Sequence, residues 1–339
     1  MSAPIPADEA AQPSGVDRRI DVMLADHVRE RPAMVDACER LMRSLPGMLH
    51  LARYRTGVCD FALDAPAPVA GAHELDADER QLVDRDVVHA MTTLGGVLRP
   101  ARSGELIRVV LHTARGALFA LQLSREQHLV GVVRVADPAD GPPPRQPTIR
   151  AADIGLSRLA NAEHTAVGEQ PTNYGGWLTP ASTASGPPGP SGPTAAEVRP
   201  RTWARDESYA GLAARCAGQV HAEGLHYVAV CRPGRLEATA DVLDDPRLDG
   251  FFADASPARR RAFYGHLAQR VDELLRAVVR SAHPAIGSRV RRLVLDVEQG
   301  AFYCYPVGLD RYLLAVTLDQ DRVAEGDEKA AVFGAELAG

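Results

Sequence analysis

Apolar residues recur along the second half of the chain in blocks of alternating period. Tyr209, Leu212, Ala213, Cys216 and Val220 stand at helical spacing, and Gly224 follows as a stop. A β-rich run over 225–231 leads to a Pro233-Gly234 turn, after which Leu236, Ala238 and Ala240 alternate as a second strand. Ser256 is a suitable N-cap with Pro257 at the first helical position. Phe263, Leu267, Val271, Leu274 and Val278 then form the stripe of one long helix. Strands are predicted over 293–297, 301–307 and 312–318, with a turn at Gln299-Gly300, and a last helix over 329–337.

The first half follows the same order. Met34, Cys38, Leu41 and Leu45 predict a helix stopped at Gly47. Val83, Val87, Met91 and Leu94 predict another, 107–135 holds three strands, and 149–163 closes with a helix. A short amphipathic helix over 20–28, ended by Pro32, is expected ahead of it. Hairpin-linked strands interrupted by one crossover helix predict an α+β fold. Each of two tandem modules is then a five-stranded antiparallel sheet with flanking helices, ordered α-β-β-α-β-β-β-α.

The two halves also align residue by residue. Residues 107–137 lie over 291–321 without a gap at a constant offset of 184, with eight identities in 31 positions. About two would be expected by chance from average composition. The identical pairs include Arg108/Arg292, Val110/Val294, Gly116/Gly300 and Val132/Val316, whereas His112 stands opposite Asp296 in the alignment. A second block, 47–57 over 224–234, matches at an offset of 177, and the loops between the blocks absorb the difference. The expected organisation is a disordered tail over 1–17, a first module over 18–164, a linker rich in Pro, Gly, Ser and Thr over 165–201, and a second module over 202–339. Within the linker only Tyr174 and Trp177 have the character to dock onto a folded surface.

Composition narrows the chemistry. The chain carries a net charge of −6, which argues against a general nucleic-acid binder. Its basic residues are arginines apart from Lys329, an imprint of a GC-rich genome, and Lys329 lies outside any glycine-rich loop. A P-loop and a Schiff-base enzyme are thereby excluded. Five cysteines without a C-x-x-C pair read as reduced core residues of a cytoplasmic protein, and no apolar run is long enough to span a bilayer. The histidines are scattered: His221 and His226 lack a third ligand. The acidic stretch over 241–254 lacks the spacing of a calcium loop and reads as solvated. No catalytic, cofactor-binding or metal-binding residue is expected.

Arg259, Arg260 and Arg261 open the long helix against the direction favoured by its dipole, which marks them as candidates for a partner surface. His266 and Arg270 continue that face.

The second half resembles the roadblock/LC7 family. The likeness rests on the strand over 291–297, the Gln299-Gly300 turn, the strand ending Pro306-Val307-Gly308, and Leu313-Leu314-Ala315-Val316 after the long helix. The first half is looser, with Gln122-Leu123-Ser124 in place of Pro306-Val307-Gly308, and together the likeness spans about two-thirds of the chain. The resemblance implies a non-catalytic regulatory or scaffold protein that needs no cofactor. Its modules would pair through central strands and central helices and present a face to a small Ras-like GTPase or another protein. In tandem, the two copies would pair with each other, and a linker of this length permits it. The three arginines have no basic counterpart in 76–80, so the two faces are expected to differ and only one to serve a partner. The competing expectation is a small-molecule sensor of the GAF or PAS type, with a closed apolar pocket lidded by the acidic loop.

Overall fold

The hairpin-linked strands of both halves join edge to edge into one sheet. A computed structural model describes residues 19–28, 30, 32–66, 75–135, 146–177, 198–287 and 289–339; the tail expected over 1–17 lies outside them, as does the middle of the linker. The first half runs β1 (Asp21–Leu24), α1 (Ala33–Ser44), β2 (Met48–Arg55), β3 (Val58–Asp64), α2 (Ala77–Leu98), β4 (Leu106–Thr113), β5 (Gly116–Ser124), β6 (Gln127–Arg134) and α3 (Pro147–Ala166). The second runs β7 (Arg201–Ala204), α4 (Ala210–Ala217), β8 (Tyr227–Arg232), β9 (Arg235–Asp241), α5 (Pro257–Gln269), α6 (Val271–Ile286), β10 (Val290–Val297), β11 (Ala301–Pro306), β12 (Tyr312–Thr317) and α7 (Val323–Ala338). The 12 strands are ordered β1-β3-β2-β6-β5-β4-β10-β11-β12-β8-β9-β7, and the paired neighbours are antiparallel. The α+β class is as expected, and each half contributes six strands, the five expected and one more at the sheet edge.

Two strands depart from the sequence reading. The segment around Val22 is strand β1, not a helix, and pairs with β3 at the sheet edge. Ile20, Val22 and Leu24 alternate and pack on the core, so the period is that of a strand. At the opposite edge β7 begins within the stretch expected as linker and pairs with β9.

Each sheet face carries its own helix layer and core. One face buries Cys38 of α1, Leu156 of α3, Cys216 of α4 and Phe333 of α7. The other buries Val83, Val87 and Met91 of α2, Tyr264 and Leu267 of α5, and Leu274 and Val278 of α6. The long helix expected across 256–278 is broken at Arg270, whose φ of −112° and ψ of 10° are not helical. The carbonyl groups freed there find other donors: Gly234 N–H donates to Gln269 at 2.9 Å, and the Cys231 thiol to Ala268 at 2.8 Å.

The repeat's matched glycines are required by geometry. A Cβ on Gly116 would stand 2.0 Å from the Val133 carbonyl oxygen, and one on Gly300 2.0 Å from that of Thr317. Both have positive φ, so each hairpin can approach its neighbour only with glycine there.

Candidate partner face and the junction between modules

β4 and β10 pair antiparallel at the centre of the sheet, with Val110 opposite Val294. These two residues are equivalents in the repeat, so a pseudo-twofold axis passes between them. Arg108 consequently faces Asp296, and Arg292 faces His112. The identical arginines each reach the closing helix of their own module, Arg108 to Asp153 and Arg292 to Asp327. Tyr305 also donates to Asp327, at 2.5 Å.

The divergent pair sits across the axis from these arginines. Arg108 Nε and Nη2 bind Asp296 at 2.8 and 3.2 Å. His112, on the other side, is pushed down to about 3 by burial and by the charges of Arg292 and Arg291. It is a neutral imidazole beside a cation where its equivalent is a carboxylate. All these groups are buried between the two modules.

Part of the linker seals this junction. Gly175 N–H donates to Asp296 at 2.9 Å, Tyr174 donates to the Gln122 carbonyl at 2.5 Å, and Asn173 donates to Asp321 at 2.7 Å. Trp177 lies 5.2 Å from the Arg150 guanidinium, ring centroid to carbon. The two aromatics singled out in the linker therefore anchor this segment on the first module, and Asn173 and Gly175 between and beside them tie it to the second.

On the opposite face, α2 and α6 pack side by side. The N-terminus of α2 is fixed by a capping box between Asp76 and Glu79, and that of α5 by Ser256 accepting from Arg259 N–H at 3.4 Å. Just inside each start an arginine clasps the last residue of a strand. Arg80 binds Asp64 at 2.7 Å, and Arg261 binds Asp241 through two contacts of 2.7 Å. Asp64 and Asp241 are equivalents at the 177-residue offset. Arg80 is thus a basic counterpart of Arg261, and the expectation that the arginines have none in 76–80 is corrected for this position.

Behind Arg80 lies a second buried cluster with no equivalent in the second module, where Tyr227 replaces His50. His50 Nδ1 bonds Asp64 at 2.7 Å and Nε2 bonds Asp84 at 2.8 Å, while Tyr54 donates to Asp84 at 2.9 Å. Burial alone would lower its pKa; the attraction of Asp84 and Asp64 overrides that and holds it at about 10. This charged imidazole was not singled out from sequence, because its two carboxylates come from a neighbouring strand and a helix.

The three arginines that open α5 have three different fates. Arg259 is exposed. Arg260 is fully buried: Nη2 donates to the Arg102 carbonyl at 3.0 Å, and its guanidinium lies 5.4 Å from the Phe252 ring. Arg102 closes the 3-10 turn after α2, so Arg260 places its charge at the negative end of that helix. It joins the modules to each other and is not available to a partner. Arg261 is held by Asp241 and by Asp244 at 2.6 Å, so part of the acidic loop is its counter-charge. Replacing Arg260 with methionine is expected to lower stability by about 2 kcal/mol, whereas Arg259→Glu stays within about 0.5 kcal/mol. Urea titrations of the two variants check this contrast.

His266 and Arg270 are exposed, the latter paired with Glu273 at 2.8 Å. With them the open side of the helix layer presents Leu82, 60% exposed, Arg85 and His89 of α2, and Arg280 of α6. The other candidates from sequence are internally engaged. His226 accepts from Leu318 N–H at 2.9 Å, and Asp245 accepts from Arg247 N–H at 3.0 Å. The five cysteines are buried and unbonded to one another. Among the described residues no group of three His, Cys, Asp or Glu side chains is placed to hold a metal ion, and no helix is long and apolar enough to cross a membrane.

No protein family model matches the chain, and no curated protein matches it. A solved structure described as "MglB with tetrameric arrangement" is similar over 42% of this chain and 96% of that one, at 14% sequence identity and a TM-score of 0.30. A likeness of that size bears on neither partner nor activity, and the α+β architecture stands on the sheet topology itself.

Proposed function

We propose that this chain is a non-catalytic regulatory or scaffold protein that binds a protein partner on the exposed side of α2, α5 and α6. A small Ras-like GTPase is the partner class that the roadblock/LC7 resemblance implies. The observation that supports this reading is the pairing of the two modules through β4 with β10 and α2 with α6. It is the arrangement in which that family presents a helix pair to its partner. The buried ion clusters at the junction are engaged within the chain, whereas the open helix face presents exposed polar groups such as Arg259, His89 and Arg280. Complementary charge there would set recognition and association rate.

The test uses the full chain as bait for small GTPases of its own organism, loaded with GDP or with a non-hydrolysable GTP analogue. Capture is expected to depend on the nucleotide and to weaken about tenfold or more when Arg85 and Arg280 are changed together to glutamate. Recovery of no GTPase in either nucleotide state would remove this partner class, and capture indifferent to both substitutions would remove the helix face.

A further inference from the structure

A groove opens on the first module between the C-terminal half of α2 and the sheet. It has a volume of about 250 Å³ and is open to solvent, room for a small ligand that stays partly exposed. Gln122 and His128 lie on its floor, Met91 and Leu106 form apolar walls, and Arg99, Arg125 and Glu105 line it as well.

Three observations set this groove apart. First, Arg99 follows α2 directly and Arg125 sits in the β5–β6 turn. Both are exposed, and neither has an ion-pair partner among the described residues. Second, His128 is 9% exposed and its Nδ1 is buried without a hydrogen-bond partner, on a ring that burial keeps neutral. A buried polar atom left unpaired is costly and calls for an explanation.

Third, α2 carries Gly95 and Gly96 where the groove passes it. Glycine is the poorest helix former after proline. A Cβ on Gly96 would meet nothing within 4 Å, and one on Gly95 would make only an ordinary contact with Leu106 at 3.6 Å. Packing therefore requires neither glycine strictly, and their effect is to leave the groove unfilled.

The second module does not reproduce the groove's polar set. The 184-residue register places Pro306, Leu309 and Tyr312 at the positions of Gln122, Arg125 and His128. Gln122, Arg125 and His128 thus belong to the first copy alone and are not part of the duplicated frame.

We propose that this groove binds a small phosphorylated molecule, its phosphate bridged by Arg99 and Arg125 and its hydroxyl-bearing remainder lying over Gln122 and His128. Two guanidinium groups supply the donor-rich, doubly positive setting that suits a phosphate dianion. Glu105 would disfavour a simple polyanion and accept from a hydroxyl or amine on the same ligand. The groove is open and polar, unlike the closed apolar pocket of a sensor domain, and it is independent of any partner on the helix face.

Calorimetric titration of the full chain with ribose 5-phosphate, inorganic phosphate and citrate tests this. Ribose 5-phosphate is expected to bind saturably, once per chain, and roughly tenfold or more tightly than either of the others. Arg125→Ala and Gly96→Leu should each weaken that binding about tenfold or more, with the Gly96→Leu protein melting at or above the parent because a helix glycine is removed. Absence of saturable binding, a preference for citrate, equal binding of inorganic phosphate (an adventitious oxyanion only), or binding unchanged in both variants would each overturn the assignment.

Discussion

Replacing Arg108 with methionine is expected to lower the stability of the chain by about 3–5 kcal/mol, read as a large fall in the urea midpoint. The side chain itself is not the source of that loss. Its removal leaves Asp153 and Asp296 buried without their counter-charge, at the strand pair that joins the two modules. Asp296 would retain only the Gly175 N–H, so the strap from 172 to 177 should loosen as well. Replacing all three charges together, Arg108→Met with Asp153→Leu and Asp296→Leu, should recover most of the loss, since nothing charged is then left unpaired. A single variant within about 1 kcal/mol of the parent would mean that water reaches the junction and that it is not the closed element described.

The second large effect is on pH dependence, through His50. Its folded pKa of about 10 lies above the ordinary value of 6.5, so the folded state holds this proton more tightly than the unfolded chain does. The stabilisation is fully present below 6.5, falls as pH rises from there, and is gone above about 10. One proton corresponds to a slope of about 1.4 kcal/mol per pH unit, so the contribution at pH 6.5 is several kcal/mol in order of magnitude. His50→Asn should be strongly destabilised at pH 6.5 and should approach the parent as pH rises. The comparison is best made below pH 8.5. The buried thiols also have raised pKa values, for instance Cys59 at about 11 against 9.0, and they begin to oppose folding in the same direction as pH rises further. Parent and variant stabilities that run parallel between pH 6.5 and 8.5 would show that His50 is not protonated between its two aspartates.

The repeat made much of this architecture readable before any coordinates. Matched turn glycines such as Gly116 and Gly300, and matched strand residues such as Val110 and Val294, are dictated by local geometry and burial, which short stretches of sequence carry. The start of α5 was readable for the same reason, through Ser256, whereas the Asp76–Glu79 box that opens α2 emerged only from the structure. The basic surface was less readable. Arg259, Arg260 and Arg261 look alike in sequence, yet helical rotation turns the middle one inward, toward a carbonyl 158 residues earlier in the chain. Strand β1 was taken for a helix because a four-residue edge strand gives too few turns of either period to separate them, and its partner β3 decided the matter.

Composition, periodicity and the gapless offset by themselves determined the α+β class, the repeated hairpins with their turn glycines, and most of the helices and strands. Those properties depend on residues near one another along the chain. Only the tertiary structure decided which charges are buried and which are free. It placed His112 and Asp296 across a pseudo-twofold axis from the two identical arginines, enclosed His50 between two carboxylates, folded Tyr174 and Trp177 over the junction, and left Arg99 and Arg125 without an ion-pair partner among the described residues, beside a groove. Each of these depends on groups brought together from distant segments, and the energy of a charge is set by what surrounds it in space.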